Sequence, residues 1–270
     1  GDGQAICLSD CSFSRALKLS DEAMTSIQVV LTPKKEGWHA KLYSEDNVDW
    51  QEHVSAQVSL VSTDRLNDYI DIAAYQERGK LVSNPSLFYK SISDSDVYYG
   101  KAFQGIRSWW LCDEGVLFSI EIIESLSDNY LFHPALLDSC FQAAGLVMML
   151  SDGDTNKTYM PFFIEKLDYQ GQLGKKAWVF VNQGDVSHND QSITLDLTLY
   201  DDQGSAQARV QGLQLQSVTQ TKLEAAMNQS SDISDWYYEW YWRESRGVNT
   251  CKKRSPLNTV DLLTIKHSAE

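Results

Sequence analysis

Residues 134–150 read "PALLDSCFQAAGLVMML", a helical run that is apolar on nearly every side. A helix without a polar stripe has to be buried all round, so the rest of the chain must supply a wall that wraps it. Pro134 suits a first helical position, where its missing N–H would be unpaired in any case. Gly145 weakens the run slightly, and "SDGD" after Leu150 supplies a stop.

The wall is legible as strands. "TSIQVVLT" (25–32), "WHAKLYS" (38–44) and "HVSAQVSLVS" (53–62) alternate in part or in full, with "PKKEG" as the turn between the first two. A second group is "VLFSIEII" (116–123), "KAWVFVN" (176–182), "SITLDLTLYD" (192–201) and "ARVQGLQLQSV" (208–218). In "SITLDLTLY", Ile193, Leu195, Leu197 and Leu199 share one face and Thr194, Asp196 and Thr198 the other. That is the period of a half-buried antiparallel strand. "DDQG" (201–204) is a tight turn into the next strand. The segment between the groups lacks a strand period and reads as a linker with a short helix. After Val218 the chain turns polar, then aromatic in "WYYEWYWRE" (236–244), which reads as a strand docked on a neighbouring domain.

A formal net charge of −14 over 270 residues argues against nucleic acid or an anionic membrane as the main partner. The five cysteines, Cys7, Cys11, Cys112, Cys140 and Cys251, form no C-x-x-C pair and fit free thiols in a reducing, cytoplasmic setting. The longest apolar run, "AAGLVMML", is too short to span a bilayer. "GDGQAICLSD" has neither the basic region nor the apolar core of a signal peptide.

Asp138 is the one charged residue of the apolar helix, and Gln142 lies one turn on, on the same face. A buried carboxyl takes hydrogen bonds or has a raised pKa. Kept protonated in an apolar cleft, it can serve as a general acid, with Gln142 orienting it; a purely structural buried aspartate is the competing reading. His133 directly precedes the helix, where capping is the expected role. His39 and His53 sit in strand patterns, and His188 and His267 in loop and tail. No histidine pair has metal-ligand spacing, and "SDGDTNKT" places Lys157 and Phe163 where a calcium loop needs Gly and Glu, so no metal is expected.

Several segments together resemble a known family. "HPALLDSCFQ" closely resembles the second catalytic motif of polyketide synthase dehydratase domains. "YYGKAFQGI" (98–106) is similar to that family's Y-G-x-x-F-x-G-I segment, and "YMPFFIEKL" (159–167) to its L-P-F segment. "DWYYEW" resembles the short strand that follows such domains. The resemblance runs from about Ala5 to Arg243.

It implies an α+β double hotdog, two curled antiparallel sheets each around a central helix, with the first hotdog incomplete here. Residues 1–72 would be the remainder of the N-terminal hotdog, 73–97 the linker and 98–218 the C-terminal hotdog. Residues 219–270 would lead into the next module element. It implies a β-hydroxyacyl thioester as substrate, carried on the phosphopantetheine arm of an acyl carrier protein, with no other cofactor. By motif position Asp138 is the acid that protonates the leaving hydroxyl. Gln142, His133, Pro134, Tyr99, Gly100, Phe103 and Pro161 support the site. Neighbouring synthase domains in cis and a second copy in a homodimer are the implied partners. The family's first motif, H-x-x-x-G-x-x-x-x-P, which carries the catalytic base, does not occur in the sequence. The expectation is a chain cut at its N-terminus. The alternatives are a non-catalytic scaffold or acyl-binding domain, or a double-bond isomerase or cyclase on the same scaffold.

Overall fold

The computed structural model describes residues 4–218 and 263–265, apart from 18, 20–23, 47–48, 63–65, 83, 94–96, 123–129, 131, 153–157, 172, 183–186 and 189–191. "WYYEWYWRE" and nearly all of the tail lie outside the described residues.

The first group of strands is β1 (Gln4–Phe13), β2 (Thr25–Lys34), β3 (Gly37–Asp46) and β4 (Asp49–Ser62). The second runs from β5 (Lys80–Val82), β6 (Ile106–Leu111) and β7 (Gly115–Glu121) through β8 (Thr158–Tyr169) and β9 (Lys176–Asn182). It ends with β10 (Ser187–His188), β11 (Ser192–Tyr200) and β12 (Ala206–Val218), and β13 (Leu263–Ile265) adds to β2. All belong to one antiparallel sheet, in the order β13-β2-β3-β4-β1-β8-β12-β11-β9-β7-β6-β5, with β10 beside β11. β1 is the seam: it pairs β4 of the first group on one edge and β8 of the second on the other. At the β2–β3 turn, Gly37 takes φ +108°, and a Cβ there would fall 2.1 Å from the Val58 carbonyl oxygen, so only glycine fits.

The apolar run forms α3 (Pro134–Asp152), which packs against β7, β8 and β9. Leu136, Cys140, Ala143, Ala144, Val147 and Met148 are fully buried, as a helix without a polar stripe requires. Ile193, Leu195, Leu197 and Leu199 of β11 and Phe118 and Val116 of β7 close the core around it. Each such side chain contributes about 1.5–3 kcal/mol by leaving water. A wrapped central helix on a curled antiparallel sheet is the hotdog arrangement.

The segment read as linker with one short helix holds more. It contains α1 (Ile72–Arg78), β5 and α2 (Pro85–Ser93). Asp71 caps α1, its Oδ1 accepting from the Ala74 N–H at 3.0 Å. Ile72 and Tyr75 of α1 pack on a second cluster made by Ile70, Trp110, Leu117, Tyr200 and Ala206. This covers the outer face of the second group. α2 sends Phe88 and Ile92 into the main core.

The first group is different. Register places Val29 and Leu31 of β2, Trp38, Ala40 and Leu42 of β3, and Val54, Ala56, Val58 and Leu60 of β4 on one face. Of these, Val29, Leu31, Trp38 and Leu60 stay 40–58% exposed. Ala56 is buried in the main core and Val54 packs on it, but the rest of this face presents an apolar patch without the burial α3 gives the other half. Such a patch attracts dyes and other chains. A Leu31→Lys/Leu60→Lys double variant is expected to lower binding of an apolar-surface dye by about twofold or more, with the circular dichroism unchanged. Unaltered dye binding would contradict this view of the face.

Candidate functional site

The site is built where α2, the turn before β6 and the second turn of α3 meet. Asp138 is partly buried on α3, and its Oδ2 accepts a hydrogen bond from Gln142 Nε2 at 2.6 Å. Gln142 is 6% exposed and all its polar positions are used. Its Nε2 also donates to the Phe103 carbonyl at 2.9 Å, and its Oε1 accepts from the Tyr89 hydroxyl at 3.1 Å. The Tyr89 hydroxyl in turn accepts from the Ile106 N–H at 3.1 Å. Asp138 Oδ1 has no hydrogen-bond partner among the described residues.

Burial raises the Asp138 pKa above its ordinary 3.8, and the Gln142 hydrogen bond opposes that shift without cancelling it. Burial also pushes the Tyr89 hydroxyl up to about 12, and the Tyr99 hydroxyl is raised too, by burial first and then by the nearby Asp138 charge. Both phenols therefore stay neutral over the working range. The site is a weakly acidic carboxyl held among neutral, largely apolar groups.

Gly100 precedes a short 3-10 turn, Lys101–Phe103, and its carbonyl accepts from the Phe103 N–H at 2.9 Å. That turn aims the Phe103 carbonyl at Gln142, while the Phe103 ring is 40% exposed. Tyr99 packs edge-on to Tyr89, with ring centroids 6.3 Å apart. Gly105 allows the close approach to α3: a Cβ there would fall 2.4 Å from Ser139 Oγ.

The remaining residues singled out in the sequence have other places. His133 caps α3: its carbonyl accepts from the Leu136 and Leu137 N–H groups, and its Nδ1 from the Ala135 N–H at 3.2 Å. Pro134 is exposed at the first helical position. Pro161 lies in β8 opposite Leu215, and Tyr159, two residues before it, lies against α3 at Gly145. His53 is a framework group: Nδ1 donates to the Arg15 carbonyl at 3.2 Å, leaving Nε2 to accept from Ser44 Oγ at 2.7 Å. His39 pairs with Thr32 and Gln57 on the face opposite Leu31. Tyr89 was not visible from sequence, because nothing local in "SLFYKSIS" marks one tyrosine as a partner of α3.

The family model described as the polyketide synthase dehydratase N-terminal domain matches residues 70–225, more than half of the chain. The chain belongs to the polyketide synthase dehydratase family. Polyketide synthase PksN of Bacillus subtilis (strain 168) is 27% identical over 119 residues, which is 43% of this chain and 2% of that protein. The dehydratase domain from the CurK module of the curacin polyketide synthase is 26% identical. It superposes with a TM-score of 0.71 over 82% of this chain and 78% of that one. An N-terminal dehydratase from the difficidin assembly line, 19% identical with a TM-score of 0.73, covers 83% of this chain and 81% of that one and shows the same fold. The curated polyketide synthases are far longer: matches of this chain span only 2–10% of their length. Among the described residues, no helix is long and apolar enough to cross a membrane.

Proposed function

We propose that this chain carries the acid half of a hydro-lyase site, acting on a β-hydroxyacyl thioester held on the phosphopantetheine arm of an acyl carrier protein. One observation carries the reading: Asp138 has one oxygen tied to Gln142, the other without a partner among the described residues, and burial that favours the protonated form. That second oxygen, Oδ1, gives its proton to the β-hydroxyl as the C–O bond breaks. A separate base takes the α-proton. Water leaves, and an α,β-unsaturated thioester remains. Tyr99 and the half-exposed Phe103 ring, beside Asp138 and Gln142, line the approach of the acyl chain. Two inactive mutants of CurK dehydratase support this reading, one with an aspartate replaced by asparagine and one with a histidine replaced by phenylalanine.

The carrier protein, the neighbouring synthase domains and a second copy of the chain are the proposed partners. Neither His53, with both nitrogens engaged, nor His133, which caps α3 through Nδ1, is proposed as the base. That same observation favours a second reading, a domain that holds the carrier-bound chain without turning it over. The test is to incubate a carrier-bound β-hydroxyacyl chain with the synthase protein containing this segment and to weigh the product. Loss of one water supports the hydro-lyase. A bound but unaltered acyl chain supports the holding domain, and a shifted double bond in an enoyl chain points to an isomerase on the same scaffold.

A further inference from the structure

We infer that Tyr89 is a positioning residue for the Asp138 acid, acting through Gln142 to fix which carboxyl oxygen accepts and which one carries the proton. The inference rests on the reading of Asp138 as the acid.

The hydrogen-bond directions leave little choice. The Phe103 carbonyl can only accept, so the Gln142 atom 2.9 Å from it is the NH2 group. The Ile106 N–H can only donate, so the Tyr89 oxygen accepts there and spends its own proton on Gln142 Oε1. Two independent partners thus set the amide the same way round. Its second N–H then points at Asp138 Oδ2. An oxygen that accepts this bond is the carbonyl oxygen of a protonated carboxyl, which leaves the proton on Oδ1. Without Tyr89, Gln142 Oε1 is a buried acceptor with no donor, and the amide is held from one side only.

The groups facing Asp138 do not titrate in its place. Tyr89 on α2 and Tyr99 before the 3-10 turn are held neutral by burial, as is Cys140 on α3, while the Arg107 charge on β6 acts on the Tyr89 hydroxyl. A change in the Asp138 titration therefore reports on its hydrogen bonds.

The experiment follows the carboxyl carbon of Asp138 by NMR against pH, in the full chain labelled at aspartate. Assignment comes from Asp138→Asn. Four proteins are compared: the parent, Tyr89→Phe, Gln142→Met and the double variant. Tyr89→Phe weakens the bond that favours the carboxylate, so the midpoint should move up by roughly half a pH unit or more. Gln142→Met should move it at least as far. In the Gln142→Met background, Tyr89→Phe should add nothing, because its route is gone. An unmoved midpoint in Tyr89→Phe overturns the inference, and so does an equal shift in both backgrounds. If Tyr89→Phe alone does not fold, the comparison between Gln142→Met and the double variant still decides, since any added shift there contradicts action through Gln142. A parent midpoint at the ordinary aspartate value instead overturns the acid reading itself, whatever Tyr89 does.

Discussion

Asp138→Asn, placed in the synthase that carries this chain, should lower dehydration about 10²–10⁴-fold, the range a positioned general acid contributes. Asparagine keeps an oxygen for Gln142 Nε2 and fills the same space, so the helix and its contacts persist. What is lost is the proton on Oδ1. The same substitution should raise the melting temperature of the 270-residue chain at neutral pH. Asp138 is raised above 3.8 by burial, so the folded state holds its proton more tightly than the unfolded state does. The Asp138 contribution to stability is then fully present below 3.8 and is lost as pH rises through the folded midpoint. Asparagine does not titrate and escapes that loss. The difference in melting temperature should therefore shrink as the pH is lowered through this window. Undiminished dehydration would show that another group supplies the proton. A melting difference that grows on acidification would show that the carboxyl is stabilised as the anion.

Phe118→Ala should be the most damaging single change to the fold, costing about 3–5 kcal/mol. Phe118 is fully buried on β7, in the cluster that surrounds α3, with its ring 6.2 Å from that of Trp109. Truncation leaves a cavity between strand and helix that close-packed neighbours cannot fill. Marginal domains have only about 5–15 kcal/mol to lose. The urea midpoint should fall sharply, with the slope little changed. Because α3 carries Asp138, the acid should also lose its fixed geometry. A loss below about 1 kcal/mol would place Phe118 at a site able to collapse.

Much of this was legible in the sequence for reasons that are local. The central helix showed because its apolar residues cover every side, and the Asp138–Gln142 contact showed because residues four apart share a helix face. β11 showed because its alternation is clean. What stayed hidden is non-local or lies where the period breaks. In β1, Leu8 faces the core before a bulge and Cys11 and Phe13 face it after, with Asp10 at φ 50° between them. The inward set therefore switches parity, and the strand does not read as one. In β6, Trp109 and Trp110 are both buried because α1 covers the outer face, so alternation vanishes there too. Tyr89 reaches Gln142 across 53 residues, a pairing only the folded chain creates. The segment around it read as linker because helices and strands this short carry too few turns for a period to show.

The most direct test of the account is a structure of the Asp138→Asn protein with a β-hydroxyacyl pantetheine thioester bound. The account predicts the β-hydroxyl within hydrogen-bonding distance, about 2.6–3.2 Å, of the side-chain atom that replaces Oδ1, with Gln142 still bonded to the other. A β-hydroxyl bound away from residue 138, or one that displaces Gln142, would contradict it.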